Sequence, residues 1–243
     1  MVKRVVVALL VPVLWHPPGV DARAWRTALA EDVVDLLARL AQAEPAIAAT
    51  PDDRALAEEI AWPGMRIYEV PTATVLPVLA AAAADGFDQA AVIAADAADV
   101  PGMVLGKLLR PLDRKPVAVA PAGPSAEPTT PSGPGERGAG ASAKATANGP
   151  GERGGGASAK ATPNGPGERG SGALGVATTL PAPEWLVDHD LDTVTPMLLR
   201  GTAPRPGDVE STPEWRRLRG PADLATLDPA LEGWENTRAL LGG

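Results

Sequence analysis

Between Val5 and Ala120 the chain alternates short apolar runs with segments of helical period, and this alternation constrains the fold more than any other feature. The apolar runs fall at 5–14, 46–49, 66–70, 89–95 and 117–120 and have strand length. The first is almost continuously apolar and rich in β-branched valine, the pattern of a central parallel strand buried on both faces. Between the runs lie helical patterns. Asp21 is an N-cap candidate for a helix in which Trp25, Leu29, Val33, Leu36, Leu37 and Leu40 form one apolar stripe. Shorter helices are expected through residue 60, over 74–84 with Pro77 in the first turn, and over 101–109. Strand–helix alternation of this kind predicts an α/β fold: a doubly wound, mainly parallel sheet with helices on both faces.

The alternation stops near Pro121. Residues 133–148 read GPGERGAGASAKATAN and residues 149–164 read GPGERGGGASAKATPN, with a third copy starting at Gly165. The repeats carry no apolar face for a solenoid, and their ASAKAT stretch breaks the glycine period of collagen. Their composition is that of a disordered linker, so residues 123–171 are expected to be an insert. Beyond it, 173–178 reads as a strand and 195–199 as a helix. Helix starts are expected at Thr212-Pro213-Glu214 and at Pro221, and a short C-terminal helix at 233–241. These late elements need a core that the first half supplies. Residues 1–122 and 172–243 are therefore expected to build one discontinuous domain.

Composition narrows the chemistry. The absence of cysteine excludes disulfides, thiolate metal sites and a cysteine nucleophile. With 30 acidic against 22 basic residues and no basic stripe, a nucleic-acid partner is not expected. Lys3 and Arg4 before an apolar run imitate a secretory leader, but the valines and Pro12 favour a strand. No apolar run reaches the roughly 20 residues of a membrane span, so a cytoplasmic protein without membrane contact is expected.

In open α/β sheets, ligands bind beyond the carboxyl ends of the strands, where the strand order reverses. Two loops there carry suitable chemistry. Asp96 and Asp99 follow the fourth strand at a spacing that can hold Mg²⁺ or Mn²⁺ through hard oxygen ligands. The alternative is that Asp99 caps the helix after Pro101 and Asp96 is a solvated turn residue. The loop through Pro18 and Gly19 precedes a helix and could offer backbone N–H groups to phosphate, with Arg23 as a bidentate partner. It lacks a Walker lysine, and a plain strand–helix turn is the alternative. The run Asp188-His189-Asp190-Leu191-Asp192 could add a metal ligand or a base, or be a solvated loop. Trp62, Trp185 and Trp215 could stack on a sugar or base, or fill an aromatic-poor core.

The strand ending in VIAADAADVP resembles the metal-binding turn of GT-A-type nucleotide-diphospho-sugar transferases, in particular small bacterial glycosyltransferase-like proteins and related cofactor nucleotidyltransferases. The resemblance covers about residues 4–122 and 172–228. Pro18-Gly19-Val20 with Arg23 resembles the family's first phosphate loop. VAVAPA and, after the insert, GALGVAT resemble the strand pair carrying its acceptor loop. Residues 208–214 and 221–224 both resemble its late Asp-Thr-Pro-Glu-Asp-Leu segment. The basic residue usual in the first loop and the acceptor-side Asp-Gly-Gly are absent, and Val70-Pro71-Thr72-Ala73-Thr74 replaces the family's Gly/Asp/Arg-containing segment before the third helix. The resemblance implies a divergent glycosyl- or nucleotidyltransferase. Asp96 and Asp99 would hold Mg²⁺ or Mn²⁺ against the diphosphate of a nucleotide or nucleotide sugar, and Pro18, Gly19 and Arg23 would hold the nucleotide. The alternative is a non-catalytic descendant serving as a binding or structural module.

Overall fold

The computed structural model describes residues 2–123, 172–228, 230 and 232–242. Tertiary contacts divide the chain into one unit of residues 1–127 and 170–243 and a second of residues 128–169. The repeats, and the expectation of disorder there, lie outside the described residues.

Seven strands form one sheet: β1 (Arg4–Leu9), β2 (Glu44–Ala49), β3 (Arg66–Glu69), β4 (Gln89–Ala94), β5 (Val117–Pro121), β6 (Ala173–Thr179) and β7 (Val209–Ser211). Their order is β3-β2-β1-β4-β6-β5-β7. All pairings are parallel except those of β6, which runs antiparallel between β4 and β5. The helices are α1 (Ala22–Ala38), α2 (Arg54–Ile60), α3 (Val75–Ala84), α4 (Gly102–Leu109), α5 (Pro196–Thr202), α6 (Pro221–Leu224) and α7 (Glu235–Leu241). The architecture is the expected α/β one, and both segments of the first unit contribute strands to the one sheet.

The period of a strand sends alternate side chains to opposite faces. Val5, Val7 and Leu9 of β1 join a core with Val75, Val78 and Leu79 of α3. Val6, Ala8 and Leu10 face a second core with α1, α2 and α4, among them Val33, Leu37, Ile60 and Leu105. Small alanines in β2 and β4 let the helices approach. The Asp21 carboxylate caps α1 by accepting from the Ala24 N–H at 2.9 Å.

Two expected boundaries are corrected. β1 ends at Leu9 rather than at residue 14: Pro12 has no N–H to give a ladder, and Leu14 is 94% exposed. No helix starts at Thr212; its N–H instead donates to the Val119 carbonyl at 2.9 Å, prolonging the chain's run alongside β5.

Candidate site at the carboxyl end of the sheet

The strand order reverses between β1 and β4, since β2 and β3 lie on one side of β1 and β4 on the other. The loops after these two strands therefore rim the crevice where such sheets bind ligands. Here a third apolar cluster occupies that region. Trp25 and Leu29 of α1, Ala98 of the β4–α4 loop, and Leu218 and Trp234 of the C-terminal segment are buried together. Val13, Trp15 and Val20 of the β1–α1 loop and Leu224, Leu227 and Leu240 pack against them. Trp15 meets Trp25 edge-on, with ring centroids 6.0 Å apart.

The β4–α4 loop brings Asp96 and Asp99 together, and both are buried. Each faces an arginine from a segment about 120 residues later. Arg217 donates to Asp96 through Nε (2.5 Å to Oδ1) and Nη2 (2.8 Å to Oδ2), a bidentate pair. Its Nη1 donates to Asp192 Oδ1 at 2.6 Å. Asp99 accepts from Trp215 Nε1 at 3.1 Å and from the Arg216 guanidinium. Arg219 donates to Asp192 at 2.6 Å. The Leu218 N–H closes on the Asp96 carbonyl at 2.8 Å, so backbone and side chains fix the same register. Asp99 caps nothing: α4 begins without a side-chain cap, correcting that alternative. Asp96 is no solvated turn residue either.

Burial works against the charged guanidinium of Arg217, but Asp96 and Asp192 outweigh it and hold its pKa above the ordinary arginine value. Asp192 titrates higher than an ordinary aspartate, chiefly through burial, with Asp96 and Asp190 adding to the effect and Arg217 opposing it. Gly172 makes this approach possible. A Cβ there would lie 2.5 Å from the Leu191 carbonyl oxygen, and its φ of +71° suits glycine.

The other expected residues are used differently. Pro18 and Gly19 form an exposed turn closed by the Val20 N–H on the Pro17 carbonyl at 3.1 Å, with Gly19 at φ +84°. Arg23 is exposed and pairs with Glu59 at 3.1 Å. It lines a groove of about 620 Å³ with Asp21, Glu31 and Glu59, and neither Asp96 nor Asp99 lines it. Asp188 anchors the start of α3, accepting from Thr74 Oγ1 (2.8 Å) and the Leu76 N–H (2.9 Å). Asp190 closes a turn on the N–H groups of Asp192 and Thr193. Of the three tryptophans, Trp62 is about half exposed and donates to Asp35, Trp185 packs on the first core, and Trp215 packs on the second.

No family model and no curated protein matches the sequence. Among solved structures, the chain resembles a candidate nucleotide-diphospho-sugar transferase from Desulfovibrio desulfuricans G20, with 15% identity and a TM-score of 0.55 over 100% of this chain and 98% of that one. At this identity the likeness shows a shared α/β fold over the whole chain. A 4-diphosphocytidyl-2C-methyl-D-erythritol synthase from Anaerococcus prevotii also matches, at 10% identity and a TM-score of 0.38, over 50% of this chain and 55% of that one.

The metal expectation turns on the acid pair Asp96 and Asp99. A magnesium or manganese ion needs carboxylate oxygens free to coordinate it. Both oxygens of Asp96 accept from Arg217, and those of Asp99 from Trp215 and Arg216. Among the described residues, no group of three or more His, Asp or Glu side chains could hold a metal ion. As arranged, the donor set does not fit the cation. Arg216, Arg217 and Arg219 were not expected at a site. Their crowding into the four residues 216–219, around Leu218, in an acidic chain, was the signal available. Among the described residues, no helix is long and apolar enough to cross a membrane.

Proposed function

We propose that the chain is a non-catalytic descendant of the transferase fold, one discontinuous domain that serves as a binding or structural module. The observation that carries this reading is the filled crevice. Leu218 and Trp234 occupy, with Trp25, Leu29 and Ala98, the place between β1 and β4 where the fold receives a ligand. The surroundings of Arg23 agree. Phosphate recognition needs surplus positive charge, whereas Arg23 shares its groove with three carboxylates.

A second reading keeps the activity: a glycosyl- or nucleotidyltransferase acting on a nucleotide or nucleotide sugar. It is supported by the position of Asp96 and Asp99 at the carboxyl end of β4, beside the switch in strand order. It requires the segment from Trp215 to Leu240 to move away. The two readings separate in thermal denaturation with nucleoside diphosphates and nucleotide sugars, with and without Mn²⁺. A ligand that binds only the native state raises the melting temperature by mass action. The module reading expects no shift with any of them. A shift that needs Mn²⁺ and disappears in Asp96→Asn would establish the transferase reading instead.

A further inference from the structure

We propose that the guanidinium of Arg217 is a built-in replacement for a divalent cation, so that the carboxyl end of β4 is held together by the chain's own charge and is indifferent to metal. Arg217 and Asp96 are both almost fully buried, with side-chain exposures of 1% and 3%. Around them stand three carboxylates, Asp96, Asp99 and Asp192, and three guanidiniums, Arg216, Arg217 and Arg219. Each of these carboxylates is paired with at least one guanidinium, as burial of an ion requires, and Asp223, also buried, accepts from the Arg219 N–H at 2.9 Å.

The geometry resembles coordination. Arg217 takes both oxygens of Asp96, one oxygen of Asp192 at 2.6 Å, and reaches the Ala173 carbonyl at 3.4 Å. It thereby joins three separate pieces of chain: the loop after β4, the start of β6 and the loop that carries Asp192. A hard divalent ion would join the same pieces through the same kind of oxygen donors. The planar fork of arginine matches a carboxylate in a way that lysine cannot. The substitution also fixes Leu218, the next residue, in the apolar cluster that fills the crevice. Metal independence and closure of the crevice thus come from adjacent positions.

The test is thermal denaturation of the full chain in EDTA, Mg²⁺ or Mn²⁺, for wild type and for Arg217→Ala, Arg217→Lys and Arg217→Met. The wild type is expected to melt at the same temperature in all three media. Arg217→Ala is expected to melt lower, and to regain part of the loss with millimolar Mn²⁺ or methylguanidinium but not with tetramethylammonium at the same ionic strength. Arg217→Lys, which keeps the charge and loses the fork, is expected to fall between wild type and Arg217→Ala. It supplies the comparison if Arg217→Ala does not fold. A wild-type protein stabilised by Mn²⁺, with the gain lost in Asp96→Asn, would overturn the proposal, because the ion would then displace the guanidinium. So would an Arg217→Met variant as stable as wild type, because a charge would then not be what position 217 supplies. A nucleotide bound without metal would defeat the proposed function and leave this assignment of Arg217 intact.

Discussion

The loop after β1 and the loop after β4 rim the same crevice and are held in opposite ways. The first is apolar: Val13, Trp15 and Val20 lean on the third cluster, while Pro18 and Gly19 form an exposed turn. Arg23, in the first turn of α1 just after this loop, pairs with the exposed Glu59. The second is polar and dry. Ala97 and Ala98 are wholly buried, and Asp96 and Asp99 are buried in contact with arginine. Burial makes the difference. An exposed pair such as Arg23–Glu59 contributes little, because water screens both partners. The same chemistry at Asp96 and Arg217 cannot be broken without stranding a charge.

The largest effect should therefore come from the second loop. Asp96→Asn leaves Arg217 buried with only half-exposed Asp192 as its carboxylate partner, at a cost of about 3–5 kcal/mol in urea denaturation. The double variant Asp96→Asn with Arg217→Met removes the stranded charge and should recover most of that loss. A double variant no more stable than Asp96→Asn alone would mean that the apolar surroundings, not the ion pair, decide the stability of this loop.

Gly19 offers the matched test in the first loop. Its φ of +84° disfavours any residue with a Cβ, yet nothing lies within 4 Å of where that Cβ would be. Gly19→Ala should thus cost only the backbone term, roughly 1 kcal/mol, with no added clash. A loss as large as that of Asp96→Asn would erase the contrast between the two loops.

The contrast also marks what could be read from sequence. The alternation of Val5, Val7 and Leu9 with Val6, Ala8 and Leu10 is local, and so is the cap at Asp21; both were legible. The place of Asp96 and Asp99 was legible too, because a strand end fixes it. Their partners were not. Arg217 lies 121 residues from Asp96, beyond the repeats, and no spacing rule connects the two. The antiparallel entry of β6 between β4 and β5 was equally hidden, since a strand buried on both faces carries no pattern that reveals its direction. Thr212-Pro213-Glu214 has the residues of a helix start, but a sheet hydrogen bond to Val119 claims the Thr212 N–H.

The smallest effect concerns the charge around Arg23. If that groove were built for phosphate, its neighbouring carboxylates would be compensated. Glu31 says otherwise: its pKa is raised from 4.5, first by burial and then by Asp35, Asp32 and Glu59. A raised carboxyl pKa means that the folded state favours the protonated form. The stability contributed by Glu31 is therefore fully present below its unfolded value of 4.5 and is lost as pH rises through its folded pKa. Glu31→Gln removes the ionisable group, so the variant should be more stable than wild type near neutral pH. Much of the side chain is in water, so the gain should be small, on the order of 1 °C in melting temperature. It should shrink to nothing in scans taken at progressively lower pH, once wild-type Glu31 is protonated in both states. A variant less stable than wild type at neutral pH, or a gap that persists in acid, would show that Arg23 or another cation compensates Glu31 after all. The groove beside α1 would then share the charge pairing found beside β4.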